Sequence, residues 1–201
     1  MKHITFTICL VLLLSSCNNK SATEEKKTEA PHDPAAEQKA MAEFSMPGEK
    51  HKWLAGFNGE WEASIISYMD PQKPDTSKAV QTYSMILNGL YQEAKITGNM
   101  MGMPFEGRSL GGYDNAKKKF VMTWVDNVSS GTTYLTGDYD PTSKTLNLKG
   151  TQTNPTNGKD MGIREVLKII DNDTYTLTMY GDGPDGKEIK FMEGTFRRKK
   201  S

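Results

Sequence analysis

The sequence predicts an all-β fold, an antiparallel up-and-down β-barrel of about ten strands preceded by a short N-terminal helix. Three observations carry this. From about residue 60 to the end, apolar and polar residues alternate with period two. Turn-forming pairs punctuate the alternating runs at short intervals. The gaps are also too short for parallel crossovers, which need about a dozen residues, usually helical. Consecutive strands therefore pair antiparallel, and a sheet of that length escapes its two open edges by closing on itself. A two-sheet sandwich is the alternative that periodicity leaves open.

The elements follow in order. Residues 1–16 read as a signal peptide: Lys2 is the only cation, Ile4 to Leu14 are apolar, and small residues follow. The apolar run covers 11 positions, against about 20 for a spanning helix. Leu14-Ser15-Ser16-Cys17 resembles the lipobox of bacterial lipoproteins. The resemblance implies lipidation of Cys17 and cleavage before it. Asn18 follows, where an Asp would resemble an inner-membrane retention signal. The expected location is the cell envelope, lipid-anchored at the outer membrane. Residues 17–40 carry the lipidated Cys and a tether with no aromatic residue and no Val, Ile, Leu or Met, which leaves little to bury.

Residues 41–201 form the expected barrel domain. Pro47-Gly48 opens a short helix over 49–55, and Gly56 stops it. Strands are expected at about 60–69, 79–88, 90–98, 104–113, 118–126, 131–139, 144–152, 162–170, 173–181 and 187–198. Asn88-Gly89, Asp114-Asn115, Asp140-Pro141, Asn157-Gly158, Asp171-Asn172-Asp173 and Asp185-Gly186 mark turns.

Gly59-Glu60-Trp61, placed after the helix and at the start of the first strand, resembles the Gly-x-Trp signature of lipocalins and related calycin barrels. The resemblance implies that the helix plugs one end and that an Arg of the last strand lies across Trp61. Arg197 is the residue assigned to that closure, with Arg198 beside it. A wider resemblance covers residues 46–198. It is carried by Met46-Pro47-Gly48-Glu49-Lys50-His51-Lys52-Trp53-Leu54, Met101-Gly102-Met103-Pro104-Phe105-Glu106-Gly107, Gly112-Tyr113-Asp114-Asn115, Trp124-Val125-Asp126, Gly137-Asp138-Tyr139-Asp140, Asp185-Gly186-Lys187-Glu188 and Met192-Glu193. On these the chain resembles the bacterial family known as domain of unknown function 1579, which implies no activity and no catalytic residues.

Charge and composition narrow the function. The chain has 25 basic and 25 acidic side chains, a balance that argues against nucleic acid and against a polybasic lipid contact. Its two cysteines are Cys9 and Cys17, so residues 41–201 hold no thiol for disulfide or metal chemistry. His51 is the only histidine in that domain. A zinc site needs three or four ligands, and neither a metal nor a cofactor is expected. No serine lies in a nucleophile elbow, and no catalytic residue is assigned. The expected role is binding a small apolar or amphipathic ligand inside the barrel. The candidate contacts are Tyr83, Met85, Met122, Trp124 and Phe191, with Glu193 as an inward carboxylate if Arg197 faces inward. Gly98, Gly102 and Gly107 are expected to loosen a mobile mouth over 98–107. A protein-interaction module of the envelope, or a hydrolase-type enzyme built from barrel carboxylates, are the alternatives.

Overall fold

The computed structural model describes residues 33–100, 102–183 and 185–200. The signal peptide, Cys17 and Met101 lie outside the described residues. The chain divides into Met1–Pro34 and Ala35–Ser201, and the barrel lies wholly within the second unit.

Two helices come first, α1 (Pro34–Phe44) and α2 (Glu49–Ala55). Ten strands follow: β1 (Gly59–Ser67), β2 (Asp75–Ile86), β3 (Tyr91–Met100), β4 (Met103–Asp114), β5 (Lys119–Asp126), β6 (Thr133–Asp140), β7 (Thr145–Thr153), β8 (Asp160–Asp171), β9 (Thr174–Asp182) and β10 (Glu188–Arg198). Each strand pairs antiparallel with its sequence neighbours, and β1 pairs with β10, which closes the barrel. The sandwich alternative is thereby eliminated.

Alternation sorts the side chains. On β1, Trp61, Ala63 and Ile65 are buried, while Glu62 is exposed. Lys78, Lys95, Arg108, Lys149 and Lys168 are likewise exposed between inward neighbours. Charge outside and apolar side chains within is the reverse of a transmembrane barrel, whose outer band is apolar.

Two apolar clusters line the interior. One gathers Phe57, Trp61, Ala63, Ile65, Ile96, Tyr175 and Phe196; the other gathers Leu54, Phe120, Leu135, Leu146, Leu148 and Ile163. Helix α2 serves both, because Trp53 packs against each. Fully burying a large apolar side chain contributes about 1.5–3 kcal/mol, so these clusters hold much of the fold's stability.

Helix α1 begins within the segment read as a tether. It buries no residue, so no packing holds it as a helix. Its Ala, Glu, Gln, Lys and Met favour that conformation intrinsically, and Pro34 occupies the first turn, where a missing N–H costs nothing. The Asn115 side-chain amide donates to the carbonyls of Glu43, Phe44 and Met46, satisfying groups at the helix C-terminus.

The expected mobile mouth is corrected. β3 and β4 stay paired out to Met100 and Met103, so a tight hairpin replaces a loose segment. The glycines serve close approach. A Cβ on Gly98 would lie 2.6 Å from the Lys78 carbonyl oxygen, and one on Gly107 would lie 2.3 Å from the Trp124 ring.

Candidate ligand-binding interior

The closed end is built from chain order alone. After α2, Gly59 takes φ +116°, a region open to glycine, and turns the chain into β1. Trp61 is then fully buried and donates its indole N–H to the Phe57 carbonyl at 2.8 Å. The Arg198 guanidinium lies 4.2 Å from the Trp61 ring and donates to the carbonyls of Asn58 and Gly56, each at 2.7 Å. Arg198 therefore makes the closure assigned to Arg197, which is exposed. The Gln92 side-chain amide of β3 donates to the Leu54 carbonyl at 2.6 Å and pins the end of α2.

His51 belongs to the same end. It is buried, and its Nδ1 accepts from the Gly48 N–H at 3.0 Å, satisfying a donor at the start of α2. Burial lowers its pKa, against a hydrogen bond to the Tyr113 backbone that raises it.

Most of the nominated contacts face inward. Tyr83 and Met85 on β2 and Met122 and Trp124 on β5 are half-buried members of the two clusters or packed against them. Trp124 stacks on Phe105 at 6.4 Å between centroids and donates its indole N–H to Asp126 at 2.8 Å. The hydroxyls of Tyr83 and Tyr175 lie 2.8 Å apart, and burial pushes both phenols up.

Glu193 is the exception and is corrected. Its carboxylate accepts from the Tyr68 hydroxyl at 2.6 Å and from Lys190 Nζ at 2.8 Å, on the outside of β10. Those two bonds, Lys190 first, lower its pKa. The cause is the closing arginine: Arg198, not Arg197, faces inward, so alternation turns Glu193 outward. Upstream of Glu193 lies a β-bulge between Lys190 and Met192. The bulge inserts Phe191 as an extra residue, so one side chain slips out of simple alternation. Phe191 and Met192 each pack against an inner cluster, and from there to the end the inward set is Met192, Gly194, Phe196 and Arg198.

The inward carboxylate belongs to Glu165 of β8. Ile163, Glu165 and Leu167 share the inner face, and Glu165 is only 7% exposed. Its neighbours in the sheet are Leu148 on β7 and Met179 on β9. Among the described residues it has no hydrogen-bonding or ion-pair partner, and burial alone pushes its pKa up to about 7; since no fully buried side-chain oxygen among them lacks a hydrogen bond, its carboxyl keeps a little accessible surface. Buried carboxylates ordinarily find partners. Sequence reasoning passed over Glu165, although the alternation Ile163-Arg164-Glu165-Val166-Leu167 places it inside.

A family described as protein of unknown function, DUF1579, matches residues 46–198. The chain belongs to the DUF1579 family. The DUF1579 match starts just before α2 and ends at Arg198, so it takes in the plug, the barrel and the closing arginine and leaves α1 outside. No curated protein matches the chain. Among solved structures, the crystal structure of Rv2717c from M. tuberculosis aligns with TM-score 0.61 at 10% identity, covering 77% of this chain and 100% of that one. The S-type phycobiliprotein lyase CPES from Guillardia theta aligns with TM-score 0.52 at 10% identity, covering 80% and 97%. These likenesses show a shared lipocalin-like barrel fold.

Two open concavities lie on the outside of the DUF1579 barrel. One of about 340 Å³ is bordered by Lys119, Thr136, Asp138, Asn147 and Lys149, and one of about 250 Å³ by Asp75–Lys78, Asn99 and Gly102. Neither is lined by the nominated inner residues. Among the described residues no group of three or more His, Cys, Asp or Glu is placed to hold a metal.

Proposed function

We propose that this DUF1579 domain holds a small apolar or amphipathic molecule inside its barrel, at the cell envelope, tethered through a lipid on Cys17. The observation that carries the binding role is Glu165, a buried carboxylate without a partner among the described residues, set in a wall of apolar side chains. A carboxyl so placed, without a protein partner, is a polar contact that a ligand can complete. Half-buried Met85, Met122, Trp124 and Met179 support the same reading, since they keep accessible surface on inward faces. Ligand sites combine mostly apolar walls with few placed polar groups. A lyase acting on phycobiliproteins shares the fold.

Native mass spectrometry of the protein from its own host tests this. The expected result is a small-molecule adduct whose occupancy falls in Trp124→Ala. A bare polypeptide mass, with no uptake of added decanol, overturns it. The anchor is tested by fractionation: Cys17→Ala releases the protein from membranes, and a variant still bound there contradicts the tether.

A second reading, an envelope interaction module, is favoured by exposed Met69, Met103, Val128 and Ile189. All four lie at strand ends opposite α2. It predicts that charged substitutions at Met69 and Met103 abolish a protein contact while leaving ligand occupancy unchanged.

A further inference from the structure

Glu165 also bears on which ligand the barrel takes. This inference rests on the interior being the binding site. We propose that the barrel selects ligands whose polar group is a protonated amine, held against the Glu165 carboxylate, with the apolar body among Met85, Met122 and Trp124.

The argument is one of charge. Every described lysine is exposed, as are Arg108 and Arg197. Arg164, next to Glu165 in sequence, turns outward, donates to Glu188 at 2.8 Å and stacks 3.9 Å from the Tyr180 ring. Arg198 is spent at the closed end. His51 is committed to the start of α2. Among the described residues the protein thus offers Glu165 no cation, so its charge is neutralised either by a proton or by a cationic ligand. A ligand carboxylate would face Glu165 as a like charge in surroundings of low dielectric, where repulsion is strong. An ammonium is attracted there.

The groups facing Glu165 are uncharged. β7 presents Leu148 and β9 presents Met179. From β2 and β9 come the phenols Tyr83 and Tyr175, bonded to each other and held neutral by burial. Tyr83 feels Glu165 electrostatically. On β8 itself Ile163 and Leu167 flank it, both apolar. With its pKa raised to about 7, Glu165 holds a proton below neutrality. Binding an ammonium stabilises the carboxylate and releases that proton, so amine affinity rises with pH through this range.

The test is calorimetric titration of the full chain carrying Cys17→Ala, which needs no detergent, with decylamine, decanol and decanoate below micelle-forming concentrations. The account expects decylamine to bind about tenfold or more tighter than decanoate near neutral pH. Its advantage over decanol should grow from about pH 6 to about pH 8. In Glu165→Gln the advantage of decylamine over decanol and its pH dependence disappear. If decanol binds and decanoate matches decylamine, or if Glu165→Gln leaves the amine preference intact, the charge assignment is wrong and the binding role stands. If none of the three binds, both fall.

Discussion

The closed end and the middle of the barrel treat buried polar groups in opposite ways. At the closed end the polar groups that hold the plug in place each have a partner. Trp61 donates to Phe57, Gln92 to Leu54, Gly48 to His51, and Arg198 to Gly56 and Asn58. Tyr175 stacks on Phe196 at 4.6 Å. At mid-barrel Glu165 is buried to a similar degree with no such partner. The first region obeys the rules of a stable core. In the second a largely buried carboxyl goes without a protein partner, and such a group in an otherwise consistent structure is a candidate for function. Binding is therefore to be sought at Glu165, and stability at Trp61.

The largest expected effect breaks the stable side. Trp61→Ala, at a position 2% exposed, should lower stability by about 3–5 kcal/mol in denaturant unfolding. A loss under about 1 kcal/mol would mean that the closure is ornamental.

Glu165→Gln should act in the other direction, and only at higher pH. With a folded pKa of about 7 against 4.5 for the unfolded chain, both states are protonated in acid and no penalty exists. Between these values the unfolded chain loses its proton first, so stability falls as pH rises, and the loss is complete above the folded pKa. The penalty is about 3 kcal/mol. The amide variant should recover much of it near pH 8 and nothing near pH 4, as urea midpoints across that range would show. A variant less stable at every pH would refute the unpartnered state.

Gly107→Ala sharpens the link between wall and mouth. The added Cβ would meet the Trp124 ring, and overpacking of this kind costs about 1–3 kcal/mol. In a Trp124→Ala background the same change should cost little. Additive losses would mean that the clash is relieved elsewhere.

The smallest effect separates neighbouring arginines. Arg198→Ala removes hydrogen bonds to the carbonyls of Asn58, Gly56 and Asn172, an exposed pairing with Asp173 and a ring contact, together worth about 1–2 kcal/mol. Arg197→Ala, being exposed, should change stability by less than about 0.5 kcal/mol. Equal effects would undo the corrected closure.

Ten strands and their bounds were legible because alternation and turn chemistry are local. Closure was legible because the Gly59-Glu60-Trp61 placement and the short gaps leave few topologies. Side-chain direction on β10 was not. Alternation propagates from any anchor residue, and Arg197 was the wrong anchor by one position, which carried Glu193 to the inside on paper. The bulge at Lys190 then brought Phe191 inward for a reason no pattern displays. β8 has a register shift only near its end, between Ile169 and Asp171, so the same parity argument applied there would have found Glu165. Gly98 and Gly107 read as flexible in sequence, because close approach by another strand or by Trp124 is a tertiary fact.

The central claim is that Glu165 is a carboxylate buried without a partner. Its side-chain carboxyl can be followed directly by infrared difference spectroscopy between the unliganded protein and Glu165→Gln across a pH titration. The account predicts a single carboxyl band present in the first and missing in the second, titrating near pH 7. Titration near the ordinary glutamate value of about 4.3 would contradict it, since that carboxylate would be hydrated or paired.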